Sequence, residues 1–176
     1  MRFDNPIPLF FSLALACASS VAMALPSDRE QPIRVQADSA ELDERQGVAV
    51  YRGSVVITQG TLKITGDTVT ITQDKNGDIE VFTAVGNRAY YEQKPAVDKD
   101  IVKAYGRTIQ YFAANERIIL IDQAKVVQQG NTFEGEKIVY DTRRQIVNAG
   151  RASGNAISTP RPRIDMILQP RKNQAQ

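Results

Sequence analysis

The feature that most constrains the fold is the alternation of apolar and polar residues between Val48 and Thr72. Apolar residues recur at every second position within short runs, and Gly53, Gly60 and Gly66 separate these runs. A period of two is that of a β-strand with one buried face and one wet face. The pattern therefore predicts a ladder of short strands. The residues predicted to face inward are Val48, Val50, Val55, Ile57, Leu62, Ile64, Val69 and Ile71.

Comparable runs continue on both sides of this stretch, from Ile33 to Leu168. They are rich in Val, Ile, Thr and Tyr, and the residues between them are types that favour turns. About a dozen short strands, with turns every 6 to 12 residues, are typical of an all-β sandwich or roll. We predict an all-β fold with no helix of note after the first 24 residues. Alternation adds further inward positions at Phe82, Leu120, Phe133, Ile138 and Tyr140.

The second half of the chain echoes the first half. Residues 125–130 resemble residues 55–60, and both segments end in Gln-Gly. Ile138-Val139-Tyr140 likewise resembles Val69-Thr70-Ile71. A repeated pattern of this kind predicts that two similar groups of strands build the roll.

The first 24 residues are a different kind of sequence. Arg2 is followed by an apolar run over residues 9–16, and Ala22-Met23-Ala24 offers a small-x-small cleavage site. This arrangement predicts a secretory signal peptide that is cut after Ala24. A retained membrane anchor is a poorer interpretation, because a span needs about 20 apolar residues. Lipid attachment at Cys17 is a third interpretation, although Ala14 stands where a lipobox prefers Leu.

Cleavage after Ala24 leaves a chain that contains no cysteine and no histidine. An exported protein without disulfides fits the bacterial periplasm better than it fits a disulfide-stapled secreted domain. We therefore expect a periplasmic protein with a leader over residues 25–32 and a single domain over residues 33–169. Residues 170–176 are polar and are expected to be a disordered tail.

The composition excludes several functional classes. Without histidine or a mature cysteine, the chain lacks the usual Ser-His and Cys-His nucleophiles and the usual zinc site. The net charge of +2 gives no basic field for nucleic acid, and no phosphate-binding glycine loop is present. We expect neither a cofactor nor a metal. Paired carboxylates at Asp38, Glu41 and Asp43 leave a glycan hydrolase as an alternative, although such residues more often form a solvated strand face.

The inward apolar residues allow two interpretations. They can fill a closed core, which would make the protein a structural scaffold, or they can line an open groove for acyl chains. Each CH₂ group moved from water into such a groove would contribute about 0.8 kcal/mol. Residue types alone do not decide between core and groove.

Three motifs carry a family resemblance. Ala37-Asp38-Ser39-Ala40 is followed by G-S-V-V-I-T-Q-G over residues 53–60 and by I-T-G-D-T-V-T-I over residues 64–71. This order, together with Ala84-Val85-Gly86-Asn87 and the export signal, resembles the OstA-like domain of the LptA family of lipopolysaccharide export proteins. The chain departs from that pattern at Ser54, where Asn is usual, and at Gly66, where Ala is usual.

The resemblance implies a single antiparallel β-jellyroll, open at both ends, that is not an enzyme. In such a domain the acyl chains of lipid A lie inside, and the sugars and phosphates face water. The implied partners are lipopolysaccharide, further copies of the chain joined head to tail, and LptC-like and LptD-like OstA domains joined by edge-strand addition. Arg52 and Lys63 are candidate contacts for lipid A phosphates, although such side chains are more often solvated strand residues.

Overall fold

The structure, a computed structural model, describes residues 28–96, 98–150 and 163–170. In these residues the chain forms one sheet of ten strands, preceded by a short 3-10 helix, and the predicted all-β class is confirmed. The predicted signal peptide, Cys17 and the predicted tail from residue 171 onward lie outside the described residues. The elements are the 3-10 helix Asp28–Glu30, β1 Arg34–Gln36, β2 Ser39–Asp43, β3 Val48–Gln59, β4 Leu62–Gln73, β5 Ile79–Gln93, β6 Val102–Phe112, β7 Arg117–Gln128, β8 Asn131–Asp141, β9 Ile146–Gly150 and β10 Asp165–Ile167.

The strands pair in an antiparallel order that follows the chain closely. The order is β1-β3-β4-β5-β6-β7-β8-β10, with β2 also pairing with β3 and β9 also pairing with β8. β1 and β2 pair with different parts of β3 and form one edge of the sheet. β10 and β9 pair with different parts of β8 and form the other edge.

The long central strands all bend near their middle. Residues 53 and 54 of β3 have φ angles of +85° and +44°, and residues 122 and 123 of β7 have φ angles of +59° and +56°. Irregularities of this kind are β-bulges, which bend a strand and increase its twist. Because neighbouring ladders lose register at matching places, the bends line up across the sheet. The register shifts lie between Arg52 and Val55 in β3, Thr65 and Thr68 in β4, Val85 and Ala89 in β5, Tyr105 and Thr108 in β6, and Ile121 and Ala124 in β7.

The line of bends folds the sheet over on itself. In β6, Ala104 pairs with Tyr91, and Tyr111 lies farther along the strand. In a flat strand, Tyr111 would be roughly 20 Å from Ala104 and its partner. The rings of Tyr91 and Tyr111 are instead 5.4 Å apart, centroid to centroid. The hydroxyl of Tyr140 in β8 also reaches Oε1 of Gln128 in β7, at 2.9 Å.

The fold thus has two facing halves of the same sheet, and the apolar core lies between them. We call them the β1 half and the β2 half, after the edge strand that each contains. The β1 half comprises β1, residues 55–59, 62–65, 89–93, 102–106, 124–128 and 131–135, and β10. The β2 half comprises β2, residues 48–52, 68–73, 79–85, 108–112, 117–121 and 137–141, and β9.

The prediction of many short strands was wrong in one respect. Gly53 lies inside β3 and Gly66 lies inside β4, so each glycine marks a bend within a long strand and not its end. Gly60 does lie in a turn, with φ +57°, between β3 and β4. The echoed segment ends at Gly130, with φ +76°, in the corresponding turn between β7 and β8. The sequence echo therefore marks two equivalent hairpins.

Gly53 provides a test of the bend. Its φ of +85° is strained for other residues, and a Cβ there would lie 2.0 Å from Oδ2 of Asp38. We expect Gly53→Ala to lower the free energy of unfolding by about 2 kcal/mol or more, measured by urea denaturation. Gly77→Ala, with φ +86° but open space, should cost about 1 kcal/mol. Gly150→Ala, which also meets open space, should change stability by less than about 0.5 kcal/mol. Equal effects at all three positions would contradict this account of the bend.

Candidate functional site

The inner faces of both halves carry columns of apolar residues that continue across the whole sheet. Directly paired residues in an antiparallel sheet share a face, so each column can be followed from one edge strand to the other. In the β1 half the column is Val35, Ile57, Ile64, Tyr91, Ala104, Val126, Phe133 and Met166. In the β2 half it is Leu42, Ala49, Ile71, Phe82, Tyr111, Ile118, Tyr140 and Val147.

Most of the residues predicted to face inward lie in this interior. Phe133 is partly buried and packs against the core. Fully burying one Val, Leu, Ile or Phe side chain contributes about 1.5–3 kcal/mol, so the columns stabilise the fold whatever else they do. Contact of these residues with lipid stays a prediction. The buried members of the predicted set are Val55, Ile57, Leu62, Ile64, Val69, Ile71, Phe82, Leu120, Ile138 and Tyr140.

Val48 and Val50 lie outside the inner column. Val48 nevertheless lines a cavity between the halves, whereas the predicted inward orientation was wrong for Val50. Val48 pairs with Thr72 and Val50 pairs with Thr70, whereas Ala49 pairs with Ile71. Ala49 and its neighbour Tyr51 pack against the core, and Val48 and Val50 are half-buried. The prediction depended on Gly53 ending a strand, in which case either the even-numbered or the odd-numbered residues before it could face inward. β3 is instead continuous, and odd-numbered residues face inward on both sides of the bend.

Several core residues were not in the predicted set. Tyr91, Ala104 and Val126 are all fully buried between the halves. Tyr91 follows Tyr90, so the aromatic pair does not reveal which ring faces inward. Ala104 is small and only weakly hydrophobic. Val126 is followed by Val127, so this pair does not reveal which side chain faces inward either.

Two adjoining cavities open between the halves near the β1/β2 edge. The smaller, of about 280 Å³, is lined by apolar residues that include Val35, Leu42, Tyr51 and Ile71. The larger, of about 730 Å³, extends inward to Phe82 and outward to the turn between β4 and β5. Ile33 and Ile79 line both cavities. We call the two cavities together the groove.

The rim of the groove is polar and mostly acidic. Asp43 and Glu44 line the smaller cavity, and Asp74, Asp78 and Glu80 line the larger one. Arg29, from the 3-10 helix, also lines the larger cavity. The walls are therefore apolar and the mouth is charged, which is the arrangement expected of a site for an amphipathic ligand.

Buried tyrosines line the interior beyond the groove. Burial raises the pKa of Tyr111 and the pKa of Tyr140 to about 12 each. Burial also raises the pKa of Tyr91 well above its ordinary value. The Tyr91 hydroxyl donates to Oε1 of Gln93. These phenols are neutral at physiological pH, so they add hydrogen-bonding groups to the interior but no charge.

The carboxylates that suggested hydrolysis are each engaged separately. The Asp38 side chain packs beside Gly53, and Glu41 forms an ion pair with Arg52 at 3.2 Å. Asp43 accepts hydrogen bonds from the backbone of Arg45 and Gln46 at 3.0 Å each. They do not converge on one reacting position. In the part of the chain that the structure describes, no cluster of His, Cys, Asp and Glu is arranged to hold a metal ion.

The family model described as LptA/(LptD N-terminal domain) LPS transport protein matches residues 34–146. The chain belongs to this family. Other members include the lipopolysaccharide export system protein LptH of Pseudomonas aeruginosa, which is 73% identical over 98% of both chains. LptA of Haemophilus influenzae is 31% identical over 92% of this chain and 91% of its own length. The OstA-like resemblance seen in the sequence is confirmed.

A solved structure of the LptA/LptD N-terminal family supports the fold. The crystal structure of LptH, described as the LptA-homologous periplasmic component of the lipopolysaccharide transport device of Pseudomonas aeruginosa, matches with a TM-score of 0.75. The two chains are 74% identical, and the match covers 82% of this chain and all of the other. Within the described ranges, this family member has no helix that is long and apolar enough to span a membrane.

Proposed function

We propose that this protein carries lipopolysaccharide through the periplasm, with the acyl chains of lipid A between the two halves of the sheet. The observation that carries this proposal is the apolar groove at the β1/β2 edge, which opens onto columns that run through the interior. Relatives named as lipopolysaccharide export proteins support the choice of ligand. The signal peptide over residues 1–24, cut after Ala24, would deliver the chain to the periplasm.

The groove can supply the binding energy for acyl chains. Each buried CH₂ group contributes about 0.8 kcal/mol, so five methylene groups provide about 4 kcal/mol before ordering costs. The sugars and phosphates of the ligand would remain at the polar rim, where water solvates them. Of the cations considered from the sequence, Arg52 is paired with Glu41, and Lys63 lies across from Glu92. Arg29, which lines the larger cavity, is paired with Glu116 and would meet an anionic headgroup only after leaving that carboxylate.

Binding without catalysis is the role that this interior supports. Asp38 packs beside Gly53, Glu41 is paired with Arg52, and Asp43 accepts from backbone N–H groups. They do not form an acid–base pair across a cleft. A structural scaffold without a ligand does not require an open apolar groove with a charged rim. We therefore favour a carrier over both the hydrolase and the scaffold.

We also propose that copies of the chain join head to tail through their edge strands. An unpaired edge is a template for strand addition, and two different edges allow a contact that repeats. The apolar columns end at exposed residues, since Leu42 is 64% exposed and Met166 is 52% exposed. Pairing of β9 in one copy with β2 in the next would continue the columns through Val147 and Leu42.

The charges at the two edges favour the same arrangement. Asp43 ends β2 and Glu44 begins the turn that follows it, and Arg143 and Arg144 lie in the turn before β9. Antiparallel pairing of β2 with β9 would place the acidic turn of one copy beside the basic turn of the next. LptC-like and LptD-like OstA domains would use the same edges, which would join the carrier to both membranes.

Photo-crosslinking tests whether lipid lies inside. A p-benzoylphenylalanine placed at Tyr51 or at Phe82 would project into the smaller or the larger cavity. We expect both variants to form adducts with lipopolysaccharide on irradiation, measured as a shifted band on a denaturing gel. The matched control is Val50, which neighbours Tyr51 but shares the outer face with Thr70. Adducts at Val50 as strong as those at Tyr51 would contradict the interior site.

Sedimentation velocity tests the head-to-tail contact. Leu42→Lys places a charge at the end of an inner column, so we expect it to shift the oligomers toward monomer by about tenfold in apparent association constant. Glu41→Lys is the control, because Glu41 pairs with Val50 on the opposite face of the same strand. It should leave the oligomer distribution much closer to that of the wild type. Equal effects of the two substitutions would contradict the proposed contact.

A further inference from the structure

The 3-10 helix and the residue that follows it lie across the open side of the folded sheet. These residues, Asp28 to Gln31, were expected from the sequence to be part of a simple leader. They instead contact the strand ends of both halves, at the point where the halves meet opposite the bends. We call this segment the latch.

Asp28 attaches the latch to the β1 half. Its Oδ1 accepts from the backbone N–H of Thr61 at 2.7 Å, and its Oδ2 accepts from Oγ1 of Thr61 at 2.7 Å. Its Oδ2 also accepts from Nε2 of Gln93 at 2.7 Å. Gly60 leaves room for this carboxylate, since a Cβ there would lie 2.2 Å from Oδ1. A carboxylate that accepts three hydrogen bonds is a firm attachment.

Arg29 attaches the latch to the β2 half. Its guanidinium donates to the backbone oxygen of Ala113 and forms an ion pair with Glu116 at 3.5 Å, in the turn between β6 and β7. Both members of this ion pair are partly exposed to water. Ion pairs exposed to water contribute little to stability, so this side of the latch is the weaker one.

The latch lies between the groove and the sealed part of the interior. Arg29 lines the larger cavity together with Phe82 and Ala113. Behind the latch, Gln93 is buried and links Asp28 to the hydroxyl of Tyr91, whose ring packs on Tyr111. Separation of Arg29 from Glu116 would therefore let the halves part beside the cavity.

We propose that the latch gates lateral access to the interior, with Asp28 as its fixed end and the contact of Arg29 with Ala113 and Glu116 as its releasable end. This inference rests on the proposed function, because the gated ligand is the acyl chain of a lipid. With the latch closed, the halves are held together beside the larger cavity, and an acyl chain enters slowly. With the latch released, the chain enters between the halves on the side of Tyr91 and Tyr111.

A reversible cross-link tests the gate. The pair Arg29→Cys and Glu116→Cys, joined by a short bis-methanethiosulfonate linker, would hold the latch closed until reductant is added. The mature chain contributes no other cysteine, because Cys17 lies before the predicted cleavage site. The matched control is Thr70→Cys with Thr83→Cys, a directly paired couple within the β2 half. The same linker there cannot hold the two halves together.

The readout is the association rate of lipopolysaccharide and of a fluorescent fatty acid with the purified chain. The closed form should associate about tenfold more slowly than the same variant after reduction, as expected for a gated site. The control pair should change by less than about twofold on reduction. Equal rates for the closed and reduced forms would contradict the latch. Failure of the wild-type chain to bind either probe would contradict the proposed function itself.

A second variant tests the fixed end without chemical linkage. Asp28→Ala removes the acceptor for the donors on Thr61 and Gln93. The β1 half would then hold the latch only through Gln59, whose Nε2 donates to the backbone oxygens of Arg29 and Gln31 at 3.2 and 3.1 Å, so the latch should open more readily. We expect association with the fluorescent fatty acid to become several-fold faster than in the wild type. A rate unchanged or slowed by Asp28→Ala, in a variant that retains its cooperative unfolding transition, would overturn the proposal.

Discussion

The fold depends on one constraint, which is that the central strands must all bend along a single line. A straight sheet of these strands would expose its apolar face to water. Because the bends align, the two halves of that face meet, and rings from different halves, such as those of Tyr91 and Tyr111, come within 5.4 Å of each other. Left-handed backbone at Gly53 and Ser54 makes the bend possible in β3. The core, the groove and the latch all follow from this closure.

Alternation in the sequence was enough to predict the β class and most of the interior. It did not reveal the bends, because a glycine in a strand pattern can mark either a turn or a kink. Gly60 is a turn, whereas Gly53 and Gly66 are bends, and nothing local distinguishes them. The run from Val48 to Tyr51 is apolar on both faces, so its phase could not be read. The groove and the latch depend on contacts between distant strand ends. The alternation of residues along one strand gives no information about such contacts.

The same apolar columns stabilise the fold and line the groove proposed for lipid. In the region of β5 to β8 the columns are closed by large side chains, such as Phe82, Tyr111 and Tyr140. Toward the β1/β2 edge they open into the groove, where Ile33 and Ile79 face both cavities. The inward residues therefore form a packed core in one part of the interior and line an open groove in another. Membership of the LptA/LptD N-terminal family gives that groove its proposed ligand.

Intermolecular nuclear Overhauser effects between lipopolysaccharide acyl chains and labelled methyl groups test the central claim most directly. If acyl chains lie between the halves, the methyl groups of Ile33, Ile71 and Ile79 should show contacts to acyl protons. Those of Val50, which faces outward beside Thr70, should show none. Contacts confined to Val50 and other outer-face methyl groups, at saturating lipopolysaccharide, would contradict the account.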